Sequence, residues 1–133
     1  MSQITLGILG GGQLGSMLSV AAKKLNIKTV IYCNHEDAPA KNFCDDFINA
    51  EYDDNEKLND FAKKVDIITY EFENIPFETL NELNKLKTVL PKPSVNRLIQ
   101  HRLAEKDFIN KLNIRTTRYV HIESKEDLLP LGD

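Results

Sequence analysis

Gly10, Gly12 and Gly15 stand at the spacing Gly-x-Gly-x-x-Gly, inside the run Gly10-Gly11-Gly12-Gln13-Leu14-Gly15 that follows directly on the apolar residues Ile4 to Leu9. That spacing suits a strand, a tight turn and a helix start. One glycine serves the turn, one lets the backbone approach a ligand, and one lets the helix pack on the strand. The N–H groups and the positive dipole end of such a helix start favour negative or polar ligand groups. Gln13 adds a donor and an acceptor suited to hydroxyls or ring nitrogens, which points to a sugar phosphate rather than a bare anion. The same glycines also fit a crowded strand-to-helix turn that binds nothing.

The second chemistry-bearing stretch is Tyr70-Glu71-Phe72-Glu73-Asn74. If it is extended, Glu71 and Glu73 point the same way, because strand side chains alternate with a period of two. Two neighbouring carboxylates repel, so such a pair faces hydroxyl donors, a cation or open water. Two solvated acids on a loop is the plain alternative. A nicotinamide cofactor calls for an acid about 20 residues past the glycine loop. The second strand ends instead in Tyr32-Cys33-Asn34-His35, which argues against NAD; Glu36 or Asp37 serves only if that strand runs further. His35, His101 and His121 lack an obvious acid or nucleophile partner. Arg97, Arg102 and Lys106 lie on or near one helix, as solvated charge or as phosphate or base contacts.

The elements that position these residues follow from hydrophobic periodicity. Ile4 to Leu9 reads as a strand, and Leu14, Met17, Leu18, Ala21, Ala22 and Leu25 as an amphipathic helix that stops at Asn26. Thr29 to Cys33 reads as a second strand, Phe47 to Ala50 as a third, Ile67 to Tyr70 as a fourth and Val89-Leu90 as a fifth. Between them lie a helix capped by Asp53 or Asp54 and a helix opening at Pro76. Ser94 opens a further helical pattern, broken near Gln100 to Arg102 and ended by Asn113. Tyr119 to Ile122 reads as a strand, and Ser124 with Asp127 as the start of a new helix. Alternating strands and helices predict an α/β fold: a Rossmann-like open parallel sheet of about five strands with helices on both faces. The unfinished apolar pattern at the end reads as a fragment of something longer.

The bulk numbers narrow the partners. With 17 basic and 20 acidic residues and a net charge of -3, there is no electrostatic footprint for nucleic acid. No apolar run is long enough for a membrane span or a signal segment. Two cysteines without a supporting histidine cluster make no metal site and read as reduced thiols of a cytoplasmic protein.

Four strings occur together in order: Gly-Gly-Gly-Gln-Leu-Gly at 10–15, Glu-Asp-Ala-Pro at 36–39, Thr-Tyr-Glu-Phe-Glu-Asn-Ile at 69–75 and Arg-Leu-Ala-Glu-Lys at 102–106. The combination resembles the amino-terminal part of N5-carboxyaminoimidazole ribonucleotide synthetase, the ATP-grasp ligase of bacterial and fungal purine synthesis. The resemblance covers essentially the whole chain. It implies that residues 1–112 form a substrate-binding pre-ATP-grasp domain and that 113–133 begin the ATP-grasp region. It implies aminoimidazole ribonucleotide, bicarbonate and ATP as substrates, Mg and ATP held mainly by lobes beyond this sequence, and a homodimer at full length. Substrate contacts would fall on Gly12, Gln13 and Leu14 and, at the ribose hydroxyls, on Glu71, supported by Glu73 and Asn74. Arg102 would lie near the nucleotide, and no catalytic residue would reside in this segment, which would be silent alone.

Two positions depart from the pattern: Ser16 stands where relatives often carry Arg or Lys, and Cys33 where many carry Asp, outside the motif that the resemblance implies for substrate. The nearest rival is another ATP-grasp enzyme such as formate-dependent glycinamide ribonucleotide transformylase. A non-catalytic nucleotide-sensing module is the rival from another class.

Overall fold

The computed structural model describes residues 3–131 and divides into two compact units, Met1–Arg97 and Leu98–Asp133. In the first unit β1 (Thr5–Leu9), β2 (Lys28–Cys33), β3 (Asp46–Asn49) and β4 (Ile67–Tyr70) form one parallel sheet in the order β3-β2-β1-β4. The chain therefore moves outward from β1 on one side and returns to pair with β1 on the other. That reversal leaves a crevice beyond the carboxyl ends of the strands, the usual seat of ligands in open α/β sheets. Leu9 and Tyr70 are register partners, so the residues that follow them, Gly10 and Glu71, leave the sheet side by side.

Both sheet faces are buried, as the unbroken apolar run of β2 requires. On one face Leu9, Val30, Tyr32 and Ile68 pack with Leu58 and Phe61 of α2 (Asn55–Lys64) and Leu80 and Leu83 of α3 (Phe77–Leu86). On the other, Ile8, Ile31 and Cys33 pack with Ala38 and Ala40, beneath α1 (Gln13–Lys24). Asp54 caps α2 by accepting from the Lys57 N–H at 3.0 Å. Asn26 closes α1 from a left-handed backbone, φ 58°. The Ile27 N–H then reaches the Ala22 carbonyl and the Asn26 N–H the Lys23 carbonyl, satisfying the last carbonyls of the helix.

Four elements differ from expectation: the fifth strand, the buried face of α1, the segment 119–122 and the stretch after Ser124. The fifth strand shrinks to one β-bridge between Ile68 and Val89, with the Leu90 N–H donating to the Ile68 carbonyl at 2.9 Å. Pro91 has no N–H to extend the ladder, so the sheet has four full strands. Helix α1 presents Gly15, Ser16, Ser19 and Ala22 to the protein, while Leu14, Met17, Leu18 and Leu25 are exposed, Met17 by 61%. Its rotation is set at the loop: a Cβ on Gly15 would lie 2.8 Å from the Gly10 carbonyl oxygen, so only the small-residue face fits against the turn. The segment 119–122, expected as a strand, forms none.

That segment belongs to the second unit, whose α5 (Arg102–Lys111) begins after the expected break at Gln100 and His101 that ends α4 (Pro93–Ile99), a helix that crosses the division between the units. Among its described residues there is no strand for 119–122 to pair with. The segment instead folds onto α5 through side chains: the Tyr119 hydroxyl donates to Asp107 at 2.5 Å and the Lys106 ammonium lies 5.3 Å from the Tyr119 ring centre. Asn113 ends α5 with φ 60°. Asp127 accepts from the Glu123 and Ser124 N–H groups, which lowers its pKa, but it opens a 3-10 turn (Glu126–Leu131) rather than an α-helix.

The tyrosines make the first unit sensitive to alkali. Burial, then the carboxylates of Asp54, Asp53 and Glu51, push the Tyr32 hydroxyl far above its ordinary range, and it donates to the Glu51 carbonyl at 2.6 Å. Tyr52 is raised chiefly by burial as well. Both folded-state pKa values lie above the unfolded value near 10, so the folded chain holds more protons there. Stability is then fully present below pH 10 and falls as pH rises through the folded values. Urea melts at successive pH values should show a falling midpoint above about pH 10, and in Tyr32→Phe a shallower fall.

Candidate functional site

The turn after β1 is anchored to β2 and to the connection that follows it. The Gly10 N–H donates to the Tyr32 carbonyl at 2.9 Å, and the Gly11 carbonyl accepts from the Ala40 N–H at 3.0 Å. Gly10 has φ 105°, a conformation open to glycine and strained for other residues. Gly12 is the N-cap of α1. A helix start leaves its first N–H groups without intrahelical partners. Here Glu71 reaches across from the end of β4, where its own N–H donates to the Leu9 carbonyl at 3.0 Å. Its Oε1 accepts from the Gly12 N–H at 2.8 Å and its Oε2 from the Gly15 N–H at 2.5 Å.

Beside this pair opens a cleft of about 520 Å³, lined by Gly11, Gly12, Glu71 and Phe72, by Cys33 through Pro39 and by Tyr52. Its polar groups are the Glu36, Asp37 and Glu71 carboxylates, the Asn34 amide, the His35 ring and the Tyr52 hydroxyl; among the described residues no Lys or Arg lines it. Burial, then the neighbouring Cys33 and Glu71, push the Tyr52 hydroxyl above its ordinary range. The cleft thus offers acceptors and neutral groups to hydroxyls and amines, and like charge to an anion. A second groove of about 520 Å³ between α2 and α3 carries Glu51, Asp53, Glu78 and Glu82 but lies apart from the glycine turn.

The two sequence motifs meet, therefore, through Gly12 and Glu71, both on the cleft wall. Gln13 and Leu14 are exposed on the first turn of α1, between the two amides held by Glu71. Glu73 and Asn74 are exposed in the connection from β4 to α3 and do not line the cleft. Arg102 opens α5 in the second unit, paired with Glu105 at 2.8 Å. From the sequence, Glu36 and Asp37 serve only as ribose acids for a nicotinamide cofactor, and the segment 34–39 has no role in the substrate site, although it follows the second parallel strand on the ligand edge. Cys33 lies on the cleft wall, closer to the site than its motif position implied. Tyr52 had no signal in the sequence at all.

A parallel sheet with a glycine turn and a cleft at its switch point defines a nucleotide- or sugar-phosphate-binding type of α/β domain. Residues 3–100 match the ribonucleotide synthetase preATP-grasp domain family, and the chain belongs to that family. It is similar to an N5-carboxyaminoimidazole ribonucleotide synthase of Staphylococcus epidermidis, 39% identical over 125 residues, 94% of this chain and 33% of that protein. Among solved structures, an N5-carboxyaminoimidazole synthetase from Staphylococcus aureus complexed with ADP has a TM-score of 0.87 at 33% identity, covering 98% of this chain and 35% of that one. A synthase from Aspergillus clavatus, in complex with ADP and 5-aminoimidazole ribonucleotide, has a TM-score of 0.82 at 28% identity with the same coverages. The chain spans about one third of the length of these proteins.

Proposed function

We propose that this chain is the ribonucleotide-binding wall of a ligase that uses ATP and bicarbonate to carboxylate aminoimidazole ribonucleotide to its N5-carboxy derivative in purine synthesis. The observation that carries the reading is the meeting of the Gly10 to Gly15 turn with Glu71 at one cleft, in a chain similar to a synthase that holds 5-aminoimidazole ribonucleotide. In this reading Gly12, Gln13 and Leu14 contact the substrate. Each Glu71 oxygen accepts one N–H and retains a second lone pair for a ribose hydroxyl, with Glu73 and Asn74 in support.

Among the described residues no group of three or more His, Cys, Asp or Glu side chains converges to hold a metal. In this reading, which rests on the family resemblance, Mg, most ATP contacts and the substrate phosphate belong to lobes outside this segment, with Arg102 reaching the nucleotide. Residues 1–112 act as the substrate domain and 113–133 as the opening of the ATP-grasp region. In this reading the full-length enzyme works as a cytoplasmic homodimer. Among the described residues no helix is long and apolar enough to cross a membrane.

The test is a chimera in which this chain replaces the matched third of the Staphylococcus epidermidis relative. It should release ADP only with aminoimidazole ribonucleotide and bicarbonate. Gln13→Ala should raise the KM for the ribonucleotide roughly tenfold, the loss of one to two hydrogen bonds, and leave the KM for ATP unchanged. Turnover of glycinamide ribonucleotide with formate instead would overturn the reading. So would ATP-dependent carboxylation by the isolated 133 residues, which should be absent.

A further inference from the structure

The glycine spacing that elsewhere seats a phosphate is here filled from within. Both oxygens of Glu71 are engaged by the Gly12 and Gly15 N–H groups, at 2.8 and 2.5 Å, from 59 and 56 residues along the chain. The glycines themselves register this occupant. A Cβ on Gly10 would collide with Glu71 Cγ, one on Gly12 would lie 2.8 Å from Oε1, and one on Gly15 would lie 3.2 Å from Oε2. The close approach that the spacing permits is thus made by a side chain of the protein. A carboxylate at a helix start satisfies two N–H groups and the dipole together, as a phosphate would. The adjoining wall adds the Glu36 and Asp37 carboxylates and, among the described residues, no Lys or Arg.

We infer that Glu71 is a specificity-determining residue that occupies the anion seat of the glycine turn and closes it to phosphate. A phosphorylated ligand must then enter the cleft with its hydroxyl- or amine-bearing part toward the turn and its phosphate away from it. Dinucleotides, whose pyrophosphate needs that seat, are refused. This goes beyond the proposed activity and holds whichever ribonucleotide the cleft takes.

The test uses the 133-residue chain, labelled with 15N and titrated with inorganic phosphate against chloride at constant ionic strength. In the wild type the Gly12 and Gly15 amide resonances should stay in place. In Glu71→Ala they should shift saturably at millimolar phosphate, and phosphate should raise the Tm of that variant alone. Gly12→Ala should lower the Tm of the wild type more than that of Glu71→Ala, because the colliding oxygen is gone. Phosphate shifts at these amides in the wild type, or a folded Glu71→Ala indifferent to phosphate, would overturn the inference. Should Glu71→Ala not fold, Glu71→Gln decides. Loss of the charge should speed hydrogen exchange at Gly12 or Gly15 roughly tenfold, the worth of one charge-assisted hydrogen bond, and unchanged exchange rates count against it. None of these outcomes bears on aminoimidazole ribonucleotide, so the inference and the proposed function fail separately.

Discussion

Phe61→Ala should lower the unfolding free energy by about 3–5 kcal/mol, the largest single loss expected in the first unit. The side chain has no exposed surface and stands edge-on to Tyr32 with ring centres 5.5 Å apart. Its tip lies over β1, where a Cβ on Gly7 would be 2.6 Å from Phe61 Cζ and 3.1 Å from both methyls of Val65. Truncation therefore removes an aromatic pair and leaves a void against Gly7, which has no side chain to fill it. Chemical denaturation should show an unchanged slope and a lower midpoint, with a Tm lower by about 10 °C or more. The same geometry predicts a coupling. Gly7→Ala alone overpacks the contact and should cost about 1–3 kcal/mol, but in Phe61→Leu it should cost much less. Additive losses would show that the ring does not rest on Gly7.

Gly10→Val should be nearly as damaging, and its damage should reach the site. At φ 105° a β-branched residue takes on roughly 1–3 kcal/mol of backbone strain. Its Cβ would also meet the Glu71 side chain, an overpacking worth a further 1–3 kcal/mol or so. Relief by backbone movement would pull the turn from the Tyr32 carbonyl and swing the Gly12 and Gly15 amides off the carboxylate. Amide exchange at Gly12 and Gly15 should speed up together with the fall in Tm. Within the proposed chimera, the KM for aminoimidazole ribonucleotide should rise more than the KM for ATP. A variant with native stability and unchanged exchange at both amides would contradict the geometry of the turn.

Legibility followed the range of the interactions. Strand and helix order, the Asp54 cap, the stops at Asn26 and Asn113 and the break near Gln100 are local. They rest on periodicity, capping and backbone preference within a turn or two. The caps, stops, break and first four strands stand where the residues implied them, while Val89-Leu90 and the stretch after Ser124 do not form the expected strand and α-helix. The parallel sheet also follows, because alternating strands and helices leave few other ways to bury β2 on both faces. Tyr119 to Ile122 carries a strand pattern but lacks a neighbouring strand, and pairing is not a property of one segment. The apolar stripe of α1 misleads for a related reason: a helix buries whichever face its anchored end allows, and the glycine turn admits only the small one.

The residues of this chain determined by themselves its fold class, its family strings and the two stretches that meet at the site. Only the tertiary structure decided what those stretches do to each other. Glu71 looked like an acid awaiting a ligand, and the fold turns it onto the amides of Gly12 and Gly15. Tyr52 and the segment after Cys33 become cleft wall because β2 lies beside β1. The physical reason is that local preference is encoded over a few residues, whereas a hydrogen bond spanning 59 positions exists only once the sheet has brought two distant loops to the same edge.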